Sequence, residues 1–247
     1  MNRPQHVHNP LEGERPQMVF DLQKSSEEQI SIIIVHKDRP EYLNICLQSI
    51  AVTSFNNNYE IIVVDNASGK DTQDFLDDIE SEVKVIRNDK NLYWSAAANK
   101  GAKMADKHSK YLVFLHPDVV ILNQGWLDLL INVSESTGAG LVGVDMQSYF
   151  MNQQKLDFIP EWLMMVTREC WEEAGPFNEK LPLVGHSFLF CMAANQYGFK
   201  PQCMRNPIAH HYRIFGMDIN EFERMTEQAM VTIPQLVREL QTVQPMK

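Results

Sequence analysis

The sequence predicts an α/β fold with a mainly parallel central sheet flanked by helices, and three observations lead there. Residues 30–35 (ISIIIV), 59–64 (YEIIVV) and 111–115 (YLVFL) are short, near-continuous apolar runs. Runs of this length suit strands buried on both faces, and their alternation with helical segments implies parallel pairing. Each run stops abruptly at polar residues: His36-Lys37-Asp38, Asp65-Asn66-Ala67-Ser68 and His116-Pro117-Asp118. Open α/β sheets bind ligands outside the carboxyl ends of their strands, so these three clusters hold the first candidate site residues.

The elements follow in order. Residues 1–28 carry three prolines, scattered charges and few large apolar side chains, the composition of a disordered or loosely docked tail. After the first strand, Asp38-Arg39-Pro40-Glu41 reads as a helix start, with Asp38 as N-cap and Pro40 in the first turn. Leu43, Cys46, Leu47 and Ile50 then recur at helical spacing. A second helix from about Asp71 carries Phe75, Leu76 and Ile79 on one side, and residues 83–86 form a short strand. The next helix is rich in small residues, Ala96-Ala97-Ala98 and Gly101, suited either to close packing or to close approach of a ligand. Residues 119–122 and 141–144 are further strands, with a helix near residues 126–133 between them. Residues 145–160 read as irregular, and residues 158–166 as apolar. Short helices are expected at residues 169–174 and 184–197, the latter ending at Gly198, a good C′ residue. Ile219, Phe222, Met225 and Met230 belong to one C-terminal helix, and Pro234 opens a second. The domain division expected is a tail over 1–28, one α/β domain over 29–215 and a helical extension over 216–247.

Composition narrows the function classes. The 247 residues can bury one large core, and 44% hydrophobic with 22% charged residues is ordinary for a globular protein. A formal net charge of −10 argues against nucleic acid as a partner, because nothing here would release phosphate counterions. The four cysteines, at 46, 170, 191 and 203, show neither CxxC pairs nor a framework spacing and read as buried reduced thiols. No apolar segment approaches the roughly 20 residues needed to span a bilayer, and the N-terminus has no signal-peptide core. A cytoplasmic protein is expected, at most peripheral to a membrane. Its C-terminal helices could dock a protein partner or a second copy.

At this point the segments match a family pattern. In order, ISIIIVHKDRPEYLNICLQSI, YEIIVVDNASGKDT, VIRNDKNLYWSAAANKGAKMA, YLVFLHPDVVI, ECWEEAGPFNEKL and PIAHHY resemble the inverting, GT-A-fold glycosyltransferases of family 2, a group that includes bacterial rhamnosyl- and other polysaccharide glycosyltransferases. Together they cover about residues 30–213. The resemblance implies a nucleotide-diphosphate sugar donor, a glycan or other hydroxyl acceptor, and Mn²⁺ or Mg²⁺ as cofactor. It places the nucleoside at the first strand end, Val35 and His36, at Asp65, and at Asn91. A carboxylate at a strand end suits a base or ribose hydroxyl, although Asp65 could equally cap a turn. His116-Pro117-Asp118 stands where the family has its Asp-x-Asp or Asn-Pro-Asp motif. Asp118 keeps the metal ligand, and His116 replaces the usual Asp or Asn at a position that contacts ribose or metal. A late histidine serves the family as a further ligand, and here either His210 or His211 falls there.

The largest departure concerns the general base. After Gly175-Pro176-Phe177-Asn178-Glu179 the family usually has a Glu-Asp pair whose Asp deprotonates the acceptor. Aligned on Phe177 and Gly198, that pair is His186-Ser187 here. An inverting transfer needs a base within hydrogen-bond reach of the acceptor hydroxyl, and imidazole titrates near neutrality. His186 and Asp118 are therefore the candidate catalytic residues. Glu161, Asp157 and Asp145 stand as substitutes for the base. A degenerate relative that binds nucleotide sugar or glycan, or acts as a structural partner, is the alternative function.

Overall fold

The computed structural model describes residues 30–54, 57–151, 154–204, 207–213 and 218–242. The chain alternates strand and helix as β1 (Ile30–His36), α1 (Pro40–Thr53), β2 (Tyr59–Asp65), α2 (Lys70–Ile79), β3 (Lys84–Arg87), α3 (Tyr93–Met104) and β4 (Tyr111–Leu115). Then come β5 (Val119–Ile121), α4 (Trp126–Thr137), β6 (Leu141–Gly143), β7 (Gln147–Met151), β8 (Gln154–Phe158) and β9 (Leu163–Thr167). Helices α5 (Arg168–Ala174) and α6 (His186–Gln196), strands β10 (Pro201–Cys203) and β11 (Ala209–His211), and helix α7 (Ile219–Thr242) complete it. Seven strands form one sheet in the order β10-β6-β9-β4-β1-β2-β3. Strand β1 is parallel to β2 and β4, while β9 runs antiparallel to both β4 and β6. The expected α/β fold with a mainly parallel sheet is present.

The apolar runs work as strands because both sheet faces are covered. Ile30, Ile32, Ile34, Ile61 and Val63 face one layer with Leu43, Leu47 and Ile50 of α1 and Trp126, Leu127 and Leu130 of α4. Ile33, Val35, Ile62, Val64, Leu112 and Phe114 face the other, with Trp94, Ala97 and Ala98 of α3. Burial of each such Ile contributes roughly 2 kcal/mol relative to exposure, and the period of two divides the strand between both layers. The small residues of α3 serve packing. A Cβ on Gly101 would lie 2.5 Å from Ile33 Cγ2 and 3.0 Å from Val64 Cγ2, so the helix sits directly on the strands that carry His36 and Asp65.

Several boundaries differ from the sequence reading. Asp38 is not the N-cap of α1: Pro40 occupies the helix start, which makes Arg39 the cap, in a left-handed conformation. Asp38 Oδ1 instead accepts from the Gly69 amide at 2.8 Å, tying the loop after β1 to the loop after β2. Residues 145–160 are not irregular; β7 and β8 pair as an antiparallel hairpin. The C-terminal segment is one helix with Pro234 inside it, not two. Proline removes one backbone donor there, but Ile233, Leu236 and Val237 are buried against Leu181, Phe188 and Leu189, and that packing carries the helix through. Helix α7 therefore docks on the domain. The expected tail over residues 1–28 lies outside the described residues. Cys46, Cys170 and Cys191 are buried free thiols. Among the described residues no helix is long and apolar enough to cross a membrane.

Gly101→Ala tests the close approach of α3. Alanine gains about 1 kcal/mol of helix propensity, but overpacking a filled core costs typically 1–3 kcal/mol. A contact of 2.5 Å with a β-branched side chain belongs to the upper part of that range, about 2–3 kcal/mol, so a net loss of about 1–2 kcal/mol is expected in urea unfolding. Unchanged or raised stability would show that the strands yield freely beneath α3.

Candidate active site

Register brings the strand ends into line. His36 stands opposite Asp65 across β1 and β2, and β4 ends one residue before His116 while paired to Ile34. A cleft of about 640 Å³ opens along this edge, a volume usual for small-molecule sites. Its wall includes Val35, His36, Asn66, Asn91, His116, Asp118, Glu161 and His211.

The turn after β4 gathers the first cluster. The His116 amide donates to the Trp162 carbonyl at 3.1 Å, and the Tyr212 amide donates to the Asp118 carbonyl at 3.0 Å. These bonds attach the start of β9 and the end of β11 to one turn. Strand β11 pairs antiparallel with β5, so consecutive side chains point to opposite faces. His211 consequently reaches Asp118, with Nε2 3.2 Å from Oδ1, while His210 is exposed. Of the two histidines left open by the sequence, the structure brings His211 to Asp118. His116 Nδ1 lies 4.0 Å from the same carboxylate oxygen. One ligand atom from each of His116, Asp118 and His211 falls within 4.8 Å of the other two. Burial holds the His116 imidazole below its ordinary value despite nearby carboxylates, which favours the neutral, metal-ligating form. Trp162 stacks on His211 at 5.1 Å and fixes its ring.

A second cluster adjoins the first. Glu161, on the loop between β8 and β9, has Oε1 3.8 Å from His116 Nε2 and Oε2 3.6 Å from His186 Nε2. Burial pushes the Glu161 carboxyl up, while the facing His186 and His116 imidazoles and the Ser187 hydroxyl pull it the other way, for a net lowering. His186 opens α6 after Gly185, whose φ of 84° suits only glycine comfortably. The imidazole is 1% exposed, stacks on Trp94 at 4.4 Å, and does not belong to the cleft wall.

The expected nucleoside-binding residues divide. Val35, His36, Asn91 and His116 line the cleft. Asp65 does not: it is fully buried, accepting hydrogen bonds from the Ser68 hydroxyl and from Gln73 Nε2 at 2.7 Å. Its neighbour Asn66 faces the cleft instead, donating to the Tyr93 carbonyl at 2.9 Å and accepting from Asn88 at 3.0 Å. Asn91 Oδ1 accepts from the Tyr93 amide at 2.8 Å.

Sequence reasoning passed over Tyr93, Trp94, Trp162, Arg213 and Glu221, all in the wall. The Tyr93 hydroxyl donates to Glu221 at 2.6 Å, joining α3 to α7 across the cleft. No spacing rule links residues so far apart in the chain; aromatic residues beside Asn91 were the only local hint.

Comparisons with known proteins identify the family and the fold. Residues 31–199 match the Glycosyl transferase family 2 domain, more than half of the chain. The chain belongs to that family. It is 27% identical over 221 residues to the O-antigen biosynthesis protein RfbC of Myxococcus xanthus, covering 74% of this chain and 17% of that protein. It is 30% identical over 118 residues to the uncharacterized protein y4gI of Sinorhizobium fredii, covering 46% of this chain and 13% of that protein. The chain thus spans less than a fifth of either relative. Among solved structures, the mannosyltransferase PcManGT of Pyrobaculum calidifontis, in complex with GDP-Man and Mn²⁺, superposes with a TM-score of 0.65 at 13% identity, over 82% of this chain and 62% of that one. S. aureus TarS 1-349 gives 0.55 at 15% identity, over 74% and 56%. These neighbours establish a GT-A fold for the family 2 domain.

Acid sensitivity follows from His36. Burial lowers its imidazole from 6.5 to about 4, and neither ring nitrogen has a hydrogen-bond partner. Between these values the unfolded chain binds the extra proton, so stability is complete above the window and falls as pH falls through it. Urea unfolding at pH 5 should show about 2 kcal/mol less stability from this group than at pH 7. His36→Leu should flatten the slope by up to about one proton. Equal slopes in the two proteins would contradict this account.

Proposed function

We propose that the chain transfers a glycosyl group from a nucleotide-diphospho sugar to a hydroxyl acceptor in polysaccharide assembly, with inversion at the anomeric carbon. Asp118, His211 and His116 would hold a divalent cation. The observation that carries this reading is the convergence of these three side chains at the end of β4, on the wall of an open cleft. Support comes from family membership, from a similar fold solved with GDP-Man and Mn²⁺, and from a relative named for O-antigen biosynthesis.

The residues fit such a cation. A carboxylate and two imidazoles are a standard transition-metal donor set, and they favour Mn²⁺ over Mg²⁺, which prefers oxygen ligands. When bound, the cation offsets charge developing on the departing diphosphate. The chain itself supplies the rest. Arg213 in the wall can pair with phosphate oxygens, and Asn66 and Asn91 place amides along the strand ends. Val35 and His36 border the same edge of the cleft, with the His36 imidazole buried and neutral behind it. Asp65 acts indirectly, by holding the loop through Ser68 and Gln73.

Calorimetry with Mn²⁺ and GDP, UDP or dTDP, and nucleotide release from the matching sugars, test this function. Asp118→Asn and His211→Ala should lose Mn²⁺-dependent nucleotide binding by more than about tenfold, as removal of a ligand requires. His210→Ala should stay within about twofold, since its side chain is exposed. Proton NMR of the product should show the anomeric configuration opposite to the donor's. Metal-independent release, or retention of configuration, would contradict the proposal. Saturable binding without turnover on any donor would instead assign a binding role.

A further inference from the structure

The start of α6, where the family resemblance implies an acidic pair, carries His186 and Ser187. His186 cannot meet an acceptor, because it is 1% exposed and stacked under Trp94. Among the described residues, the carboxylates of the cleft wall are Asp118, Glu161, Asp218 and Glu221. Asp118 faces His211. Asp218 Oδ1 accepts from the amides of Asn220 and Glu221 at 3.0 and 3.2 Å, capping α7. Glu221 is occupied by the Tyr93 hydroxyl. Asp145 and Asp157 lie outside the wall, the latter paired to Lys155 at 2.9 Å. Glu161 remains. Its side chain is 19% exposed, and its two oxygens face His116 on the Asp118 side and His186 on the α6 side.

We propose that Glu161 is the general base of the transfer and that His186 and Ser187 are its positioning residues. A carboxylate that the start of α6 does not supply is thereby delivered beside it by the loop Pro160-Glu161-Trp162. The proposal rests on the glycosyl-transfer reading above. The acceptor hydroxyl gives its proton to a Glu161 oxygen while its own oxygen bonds to the anomeric carbon. The bond from that carbon to the diphosphate oxygen breaks, and its electron pair leaves with the nucleoside diphosphate. His186, buried behind Glu161 with Nε2 directed at it, and Ser187, whose hydroxyl lies beside it, aim the carboxylate into the cleft. The backbone bond from His116 to the Trp162 carbonyl fixes the loop that carries it.

The test uses whichever donor of the panel above the wild type turns over, with Mn²⁺. Glu161→Gln should lower kcat by about 10²–10⁴-fold, the usual worth of a general base. Its Mn²⁺ and nucleoside-diphosphate affinities, measured by calorimetry, should stay within about twofold. Formate should restore part of the turnover of Glu161→Ala, a rescue that a structural role does not give. His186→Gln should lower kcat less, leave KM unchanged, and add nothing further in the Glu161→Gln background, the non-additivity of groups acting as a unit. If Glu161→Gln instead weakens Mn²⁺ binding about 10–100-fold and excess Mn²⁺ restores kcat, Glu161 only orients His116 and the proposal is overturned. Full activity in Glu161→Gln overturns it as well, leaving the transferase reading intact. An inactive wild type removes both readings together.

Discussion

The turn His116-Pro117-Asp118 is held from two sides by backbone hydrogen bonds, and the site depends on that restraint. Trp162 accepts from the His116 amide, and Tyr212 donates to the Asp118 carbonyl. Neither residue is near the turn in sequence. Because the peptide groups themselves are tied, Glu161 and His211, each one residue from an anchor, arrive in defined directions, the first beside His116 and the second beside Asp118. Buried backbone groups must find partners, so this clamp is as obligatory as the sheet ladder. The parallel pairing of β1 with β2 and β4 then sets His36 and the turn along one edge.

Three layers of support lie behind that edge. Helix α3, seated on β1 and β2 through Gly101, carries Trp94 under His186 and Tyr93 toward Glu221. Asn99 accepts from the Phe177 amide and donates to its carbonyl, both at 2.9 Å, so the segment before α6 is fastened to α3. Helix α7 closes on α6, where Ile233 lies so near Gly185 that any Cβ would meet it at 2.5 Å. The start of α6 is thus packed from both directions. That explains how a histidine there can be wholly buried.

Much of the scaffold was legible in the sequence. Strands β1, β2 and β4 announce themselves because a strand covered on both faces is apolar at nearly every position, and polar residues must appear where it leaves the core. Asp118 and the family resemblance followed from those endings. The β7–β8 hairpin was passed over because QSYFM lacks alternation and QKLDF alternates only over Lys155–Phe158, a short signal in a largely solvent-facing segment. Strands β10 and β11, PQC and AHH, are three residues long like β5 and β6 but lack the apolar run that marks those two. The choice between His210 and His211 needed the β11–β5 register, which fixes which of two adjacent side chains turns inward. Asp65 misled for a related reason: a strand-end carboxylate looks the same in sequence whether it faces a ligand or caps its own loop. Replacement of the acidic pair was visible at once, but Glu161 stands 25 residues earlier and only folding brings it to His186.

The central claim is that Asp118, with the histidines brought to it by the clamped turn, holds the cation beside a nucleoside diphosphate. Anomalous diffraction at the manganese edge, from crystals grown with Mn²⁺ and GDP or UDP, addresses it most directly. The expected result is an anomalous peak bonded to an Asp118 oxygen and a His211 nitrogen, with the diphosphate in the cleft on its open side. A peak held by other residues, with Asp118 still turned to His211, would contradict it.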